Sequence, residues 1–417
     1  MWYLLLEQKG ALVDNPLYTL TEEERSYVRE TCEAESARLS PFAARDSDAV
    51  YETPVERDRD DELVRPNFVN DIDRVLNNPY YNRCMDKTQV FPLYRNDDLT
   101  RRSYHLQLVA QISCKVSRAL RLNVPLTRAI ALGHDMGHTP FGHAGEKVLS
   151  ALYHEHTGKR YFNHNVHSVR LLRTVSDSHL SLQTLNGMLC HCGEKAWARY
   201  EPRPCPTFDD LDEMMERCYT VPKASTTLRP STLEGCVVRV CDIIAYLGKD
   251  RQDAITVGVL DTTTYPLRNS AIGETNREII GNVTANLIKN SIGKPYLAMD
   301  EPVFQALDAA KRQNIDEIYN SPEAHGRLDE VLGDIMGGLY DRCLEDLLAE
   351  RRDSPIWRHH LNAWMLRNND AYRDQPPDDI VVDYLACTTD EYLIALFNHL
   401  FPEDAIPEED LYIPYFR

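Results

Sequence analysis

No apolar run among the 417 residues approaches the ~20 needed to cross a bilayer as a helix, which excludes an ordinary transmembrane span and makes a membrane partner unexpected. Basic side chains are in deficit. The 46 Lys and Arg stand against 65 Asp and Glu, and the formal net charge of -19 argues against a surface built mainly to hold nucleic-acid backbone. A local basic pocket is compatible with that balance. Eleven cysteines, an odd number, run from Cys32 to Cys387 without a Cys-x-x-Cys pair, so they read as reduced thiols of a cytoplasmic protein rather than a disulfide framework. Met1-Trp-Tyr-Leu-Leu-Leu-Glu7 has no positive n-region and its apolar stretch stops after six residues, so no secretory signal is expected there. The Gly-x-x-x-x-Gly-Lys-Ser/Thr phosphate loop and the Gly-x-Ser-x-Gly elbow are both missing, so any phosphate chemistry falls to metal and basic side chains.

What is present is helical periodicity. Leu106, Val109, Ile112, Val116 and Leu120 recur at spacings of three and four, as do Val237, Val240, Ile244 and Leu247. Asn123 with Pro125 just behind it marks a helix start that runs to Gly133, and further helical runs are predicted over 21–36, 274–291 and 327–347. The proline-rich stretch Glu201-Pro-Arg-Pro-Cys-Pro206, followed by acidic Asp209 to Glu216, reads as an inserted loop with a short amphipathic helix. Only brief candidates for β-structure appear, so the expected class is mainly α. Residues 1–60 read as an N-terminal arm, 61–260 as a helical core and 261–417 as a C-terminal helical region packed on it.

Within the core stands the segment Ala131-Leu-Gly-His-Asp-Met-Gly-His138. A carboxylate beside an imidazole in an apolar setting needs a partner, and a divalent cation satisfies both. His105 and Asp242 are likewise polar residues on apolar helices. Each could instead be a core histidine or half of a buried ion pair, but seven of the fourteen histidines fall between His134 and His167, which favours a site. Two imidazoles and two carboxylates from His105, His134, Asp135 and Asp242 suit Mn, Mg, Fe, Co or Zn and leave positions open for water and phosphate. His143 and Glu146 share a helix face at i,i+3, so the carboxylate is expected to orient the imidazole as an acid/base; His164 offers a second imidazole for phosphate charge. His138 ranks below His143. Arg102, one turn before His105, suits phosphate, and Tyr246 and Asp250 extend the face of Asp242 toward a sugar. Cys190-His-Cys192 is the one cluster suggestive of zinc; lacking a second nearby pair, it reads as structural.

Together these residues resemble the HD-domain phosphohydrolases, and more narrowly the deoxyguanosinetriphosphate triphosphohydrolase-like (dGTPase-like) family. The resemblance runs through Asp86-Lys-Thr-Gln-Val-Phe-Pro-Leu93, Thr100-Arg-Arg-Ser-Tyr-His105, the block from Ala129 to Glu146, Phe162-Asn-His-Asn165, and Leu233 to Asp250. Weaker pieces follow at Ser291 to Tyr296 and Asp383 to Pro402, so most of the chain after about Ser40 is covered. His167, Lys249, Cys236 and Cys241 depart from the family's usual residues without touching the ligands.

The resemblance implies an HD helical core with added N- and C-terminal helical segments. It implies metal ligation by His105, His134, Asp135 and Asp242, a catalytic pair His143 and Glu146, His164 near the scissile phosphate, and Arg102 on phosphate. Gln89, Tyr246 and Asp250 would face the deoxyribose. The implied reaction converts a deoxynucleoside triphosphate and water to deoxynucleoside and inorganic triphosphate in the cytoplasm, by a homo-oligomer. The alternatives are a nucleotide monophosphate or cyclic-nucleotide phosphohydrolase on the same scaffold, and a nucleotide-binding regulatory protein with incidental hydrolysis. Single-stranded DNA stays open as a regulator with no residue pattern in its support.

Overall fold

Seven of the longer helices begin where the sequence supplies a side-chain cap. Helix α1 (Glu22–Ala37) starts at Thr21, whose hydroxyl accepts from the Glu24 amide while the Glu24 carboxylate accepts from the Thr21 amide. There follow α2 (Asn67–Leu76), α3 (Arg102–Leu120) and α4 (Val124–Gly133). Helix α4 is capped by the Asn123 side chain on the Leu126 amide and has proline in its first turn, as its sequence predicts. Next come α5 (Gly142–Thr157), α6 (His164–Arg170), α7 (Leu182–Leu189) and α8 (Phe208–Thr220). Helix α9 (Leu233–Val257) is the longest, and α10 (Asn276–Ser291) and α11 (Glu301–Asn314) follow it. The C-terminal part adds α12 (Leu328–Leu348), α13 (Pro377–Ala386) and α14 (Asp390–Leu400). Ser181, Thr207, Thr232, Thr275 and Thr389 cap α7, α8, α9, α10 and α14 in the same way.

This computed structural model describes residues 19–54, 57, 59–192, 196–268, 271–321, 328–366 and 369–415; Met1 to Glu7 and part of the polar run near residue 55 lie outside them. Among the described residues the only named strands are β1 (Arg199–Tyr200) and β2 (Leu297–Ala298), paired antiparallel with Arg199 opposite Ala298. The mainly α class holds, and no described helix is long and apolar enough to cross a membrane.

Helix α4 lies at the centre, in contact with α2, α3, α7 and α9. Leu126, Ala129, Ile130, Ala131 and Leu132 are all buried and Arg128 alone is exposed, so the last turn of the helix ends inside the protein. The chain leaves it through His134 and Asp135, which delivers both side chains to the interior. Glu234 at the start of α9 accepts from the backbone amides of Asn123 and Ala44, fixing the start of α4 against α9.

The C-terminal helices pack on α5, with α12 against α5, α13 and α14. Asp390 accepts from the Thr88 and Phe141 amides, 2.9 Å each, and so holds two loops of the core together. Phe141 is left-handed at φ 60, a conformation costly for a residue with a Cβ, and its bond to Asp390 fixes it there.

Candidate metal centre

Three helices deliver the expected ligands to one place. His105 comes from the first turn of α3, His134 caps α4 with Asp135 beside it, and Asp242 comes from the middle of α9. His105 Nε2 lies 2.9 Å from Asp242 Oδ1, and His134 Nε2 lies 3.6 Å from Asp135 Oδ1 and 3.7 Å from Asp242 Oδ1. His134 Nδ1 donates to the Ala131 carbonyl at 2.7 Å, which fixes the tautomer with its lone pair on Nε2. That Nε2 is buried and makes no hydrogen bond, although two carboxylate oxygens face it. An orphaned imidazole nitrogen among acceptors fits a cation, the one partner that can bind them all.

Arg102 is itself buried and donates to Asp135 Oδ2 at 2.5 Å and to the Thr88 carbonyl. Burial disfavours the charge on Asp135, but His138, His134 and Arg102 around it outweigh that and hold its carboxyl well below the usual range. Asp242 is treated the same way: burial opposes ionisation, His105 and His134 favour it, and its pKa is depressed. The carboxylates are therefore ionised at neutral pH, as ligands must be.

The Gly-His repeats have a steric reason. A Cβ on Gly137 would fall on the backbone of Ser168 and His164, so α6 approaches the turn closely only because that residue is glycine. Gly142 has φ 56 and lies against Arg102 and Gln89, which brings α5 in beside the ligands.

The partner of Glu146 differs from the expected one. Its carboxylate accepts from His164 Nδ1 at 2.8 Å and from the His164 amide at 2.8 Å, so it orients His164 rather than His143. The i,i+3 spacing does bring His143 and Glu146 close, but the chain after α5 turns back and lays His164 over the carboxylate. Burial raises and the His164 bonds lower the Glu146 pKa, which settles at about 2. For His164 burial works against charge, yet Glu146 and Cys192 beside it lift its pKa well above the usual value. His143 is exposed at the mouth, whereas His138 is buried, 3.4 Å from Asp135 Oδ1 and stacked on His164 at 3.9 Å between ring centroids.

A cleft of about 660 Å³, room for a nucleotide, opens on the side of His143, Glu146 and His164 and is lined also by Lys147 and Lys223, whereas His105, His134, Asp135 and Asp242 lie outside its lining. The lysines were not singled out from sequence; only the fold brings Lys223 here. Gln89 borders the site through Gly142, and its side-chain oxygen is buried without a hydrogen bond. Tyr246 and Asp250 continue along α9, where Asp250 is buried and accepts from the Tyr319 hydroxyl at 2.6 Å. Burial pushes its carboxyl up to about 8, so it is held neutral.

The structure corrects the reading of Cys190-His-Cys192 as purely structural. Cys190 is in the apolar core, but His191 Nε2 lies 3.2 Å from Asp135 Oδ1, and Cys192 Sγ lies 3.5 Å from His164 Nε2. His191, like the two lysines, was missed by sequence reasoning, although the cluster around it was the signal.

Residues 102–247 match the HD domain family model, a span that begins and ends on the helices carrying Arg102 and Asp242. A deoxyguanosinetriphosphate triphosphohydrolase-like protein of Caldanaerobacter subterraneus subsp. tengcongensis is 31% identical over 380 residues, covering 90% of this chain and 96% of its own. Proteins of the same description from Desulfatibacillum aliphaticivorans and Clostridium perfringens are each 28% identical, covering 81% and 83% of this chain and 88% and 90% of theirs. With relatives matched over nearly their whole length and the HD block at the centre of the fold, this chain belongs to the deoxyguanosinetriphosphate triphosphohydrolase-like family of HD-domain proteins.

Proposed function

We propose that the protein is a metal-dependent deoxynucleoside triphosphate triphosphohydrolase, acting on dGTP-like substrates and releasing deoxynucleoside and inorganic triphosphate. The observation that carries this is the buried His134 Nε2, unbonded between the carboxylates of Asp135 and Asp242. A divalent cation held by His105, His134, Asp135 and Asp242, whether Mn, Mg, Fe, Co or Zn, would supply positive charge for a phosphate oxygen and for the attacking water.

The chain's own residues do the rest in this reading. Arg102 holds Asp135 and offers its guanidinium to phosphate, while Lys147 and Lys223 match the charge of a triphosphate tail. Water attacks the α-phosphorus and gives up a proton as the bond to the 5′-oxygen breaks, and His143 at the mouth, its pKa lowered by desolvation so that it starts neutral, relays that proton to the leaving oxygen. Glu146 keeps His164 charged and fixed beside the developing phosphate charge. Gln89, Tyr246 and the neutral Asp250 are assigned to the deoxyribose, where a protonated carboxyl can donate to a 3′-hydroxyl. A cytoplasmic setting and a homo-oligomeric state belong to the same proposal and rest on the family.

The test is product analysis. Purified protein with Mn or Mg is given the four deoxynucleoside and four ribonucleoside triphosphates, separately and mixed, and products are resolved by chromatography. Deoxynucleoside with intact triphosphate is expected. Orthophosphate would move the assignment to a monophosphate or cyclic-nucleotide phosphohydrolase, and nucleotide-shifted melting without any product would make the protein a binder.

A further inference from the structure

The cleft beside His143, Glu146 and His164 is longer than the proposed reaction requires. His143, Lys147, Ser150, His154 and Glu155 line it from one helix, α5, over about three turns. At about 1.5 Å of rise per residue, Lys147 lies about 6 Å along the axis from His143, and His154 lies about 10 Å farther on. Gln89, Tyr246 and Asp250, assigned to the deoxyribose, are not among the lining residues, so only the phosphate tail of the nucleotide enters. A volume of about 660 Å³ suits a whole drug-sized ligand rather than two phosphate groups.

The far end is built for a different group. Tyr161 and His154 lie face to face there, with ring centroids 4.2 Å apart and planes 7° from parallel, and both are half-buried. Backbone contacts hold this planar wall in place: the Tyr161 amide donates to the Tyr219 carbonyl at 2.7 Å, and the Phe162 amide donates to Ser150 Oγ at 3.0 Å. Glu155 follows His154, about two turns beyond Lys147, so the fixed charge along α5 changes from positive to negative. A further phosphate would be repelled there. An uncharged planar group with amino donors suits both features, stacking on the aromatic wall and donating to the carboxylate, and a nucleobase is such a group.

We propose that the far end of the cleft takes a second nucleoside esterified to the terminal phosphate, so that dinucleoside polyphosphates with a deoxynucleoside at the reacting end are substrates. The second base stacks on the Tyr161–His154 wall and offers its amino group to Glu155. This extends the triphosphohydrolase reading and rests on it. The bonds that change are the same: the water oxygen joins the α-phosphorus of the deoxynucleoside end, the bond from that phosphorus to the 5′-oxygen breaks, and the 5′-oxygen takes up the proton that water gives up. The products are a deoxynucleoside and a nucleoside 5′-polyphosphate, the latter in place of inorganic triphosphate.

The test gives the full chain, with Mn, three compounds: dGTP, deoxyguanosine 5′-tetraphosphate, and two deoxyguanosines joined through four phosphates. Products are resolved by chromatography and KM is measured for each. The joined compound is expected to yield deoxyguanosine and deoxyguanosine 5′-tetraphosphate first, with a KM about tenfold below that of the tetraphosphate lacking the second nucleoside. His154→Ala and Tyr161→Leu are expected to remove that tenfold advantage and to leave dGTP hydrolysis unchanged. A joined compound that stays intact while dGTP is consumed, or one with no KM advantage, overturns the proposal and leaves the triphosphohydrolase reading standing. An advantage that survives both substitutions overturns the Tyr161–His154 wall as its cause. No deoxyguanosine from dGTP itself is failure of the underlying reading and takes the proposal with it. Should either variant fail to fold, the comparison of the two tetraphosphates on the wild type decides.

Discussion

His134 and Asp135 are adjacent in sequence yet serve the site from different directions, because His134 still belongs to the end of α4 and Asp135 has already left it. Their candidacy as ligands was legible from residue type and apolar surroundings alone. The pairing of Glu146 was not, since a helix-face rule sees neighbours three and four residues away and cannot see His164 returning over α5. His191 was hidden for the same reason: its meaning depends on Asp135, from another segment. Two substitutions follow at this scale. Asp135→Ala is expected to abolish turnover and bound metal together, leaving Arg102 with its charge unpaired. His143→Ala is expected to retain the metal and lower the rate by about a hundredfold or more, read from single-turnover kinetics alongside metal content. Full activity without His143 would remove it from the reaction.

At the scale of elements, the helix ends carry the architecture. The start at Asn123 was read from its residue type, and the runs expected over 21–36 and 274–291 begin within two residues of their predicted starts, behind caps at Thr21 and Thr275 that only the structure shows. Glu234 was not visible as anything but an acidic first turn. In the fold it is buried at the start of α9, its pKa pushed up to about 7 by burial despite the amides of Asn123 and Ala44. The unfolded carboxyl loses its proton near its ordinary value of 4.5, while the folded one keeps it to about 7. Between those values the folded state binds more protons, so raising the pH favours unfolding; the penalty is complete above about 7 and on the order of 3 kcal/mol. Denaturant titrations across pH 4.5 to 7.5 are expected to show Glu234→Gln holding its stability where the wild type declines. Parallel curves would mean the carboxyl is not carried neutral in the fold.

On the scale of the whole molecule, the C-terminal helices are wired into the loops of the candidate site by polar contacts that no periodicity announces. Lys87, fully buried, donates to the carbonyls of His138 and Ala386, and Asp383 of α13 accepts from Arg170 at 2.8 Å and Tyr372 at 3.0 Å. His167 connects the two, 3.3 Å from Asp383 and donating to the Gly137 carbonyl at 2.9 Å. Burial opposes charge on His167, but Asp383 and Cys387 raise its pKa to about 9, so it enters this network as a cation. In the sequence Asp383 only opens a weak block of the resemblance, and nothing in its spacing sets it apart among the 65 acidic residues. Asp383→Ala leaves His167 buried without its anion and Arg170 with only Asp379, 3.9 Å away, and a loss of about 3–5 kcal/mol is expected, seen as a lower unfolding midpoint at unchanged denaturant slope. A change below 1 kcal/mol would show that α13 is not tied to the core through this pair.

In the proposed function His105, His134, Asp135 and Asp242, brought together from three helices, hold one cation. Anomalous X-ray scattering from crystals grown with Mn addresses that directly. A peak within about 2.0–2.3 Å of His105 Nε2, His134 Nε2 and one oxygen each of Asp135 and Asp242 is the expected result. A peak elsewhere, or none at saturating Mn, would contradict it.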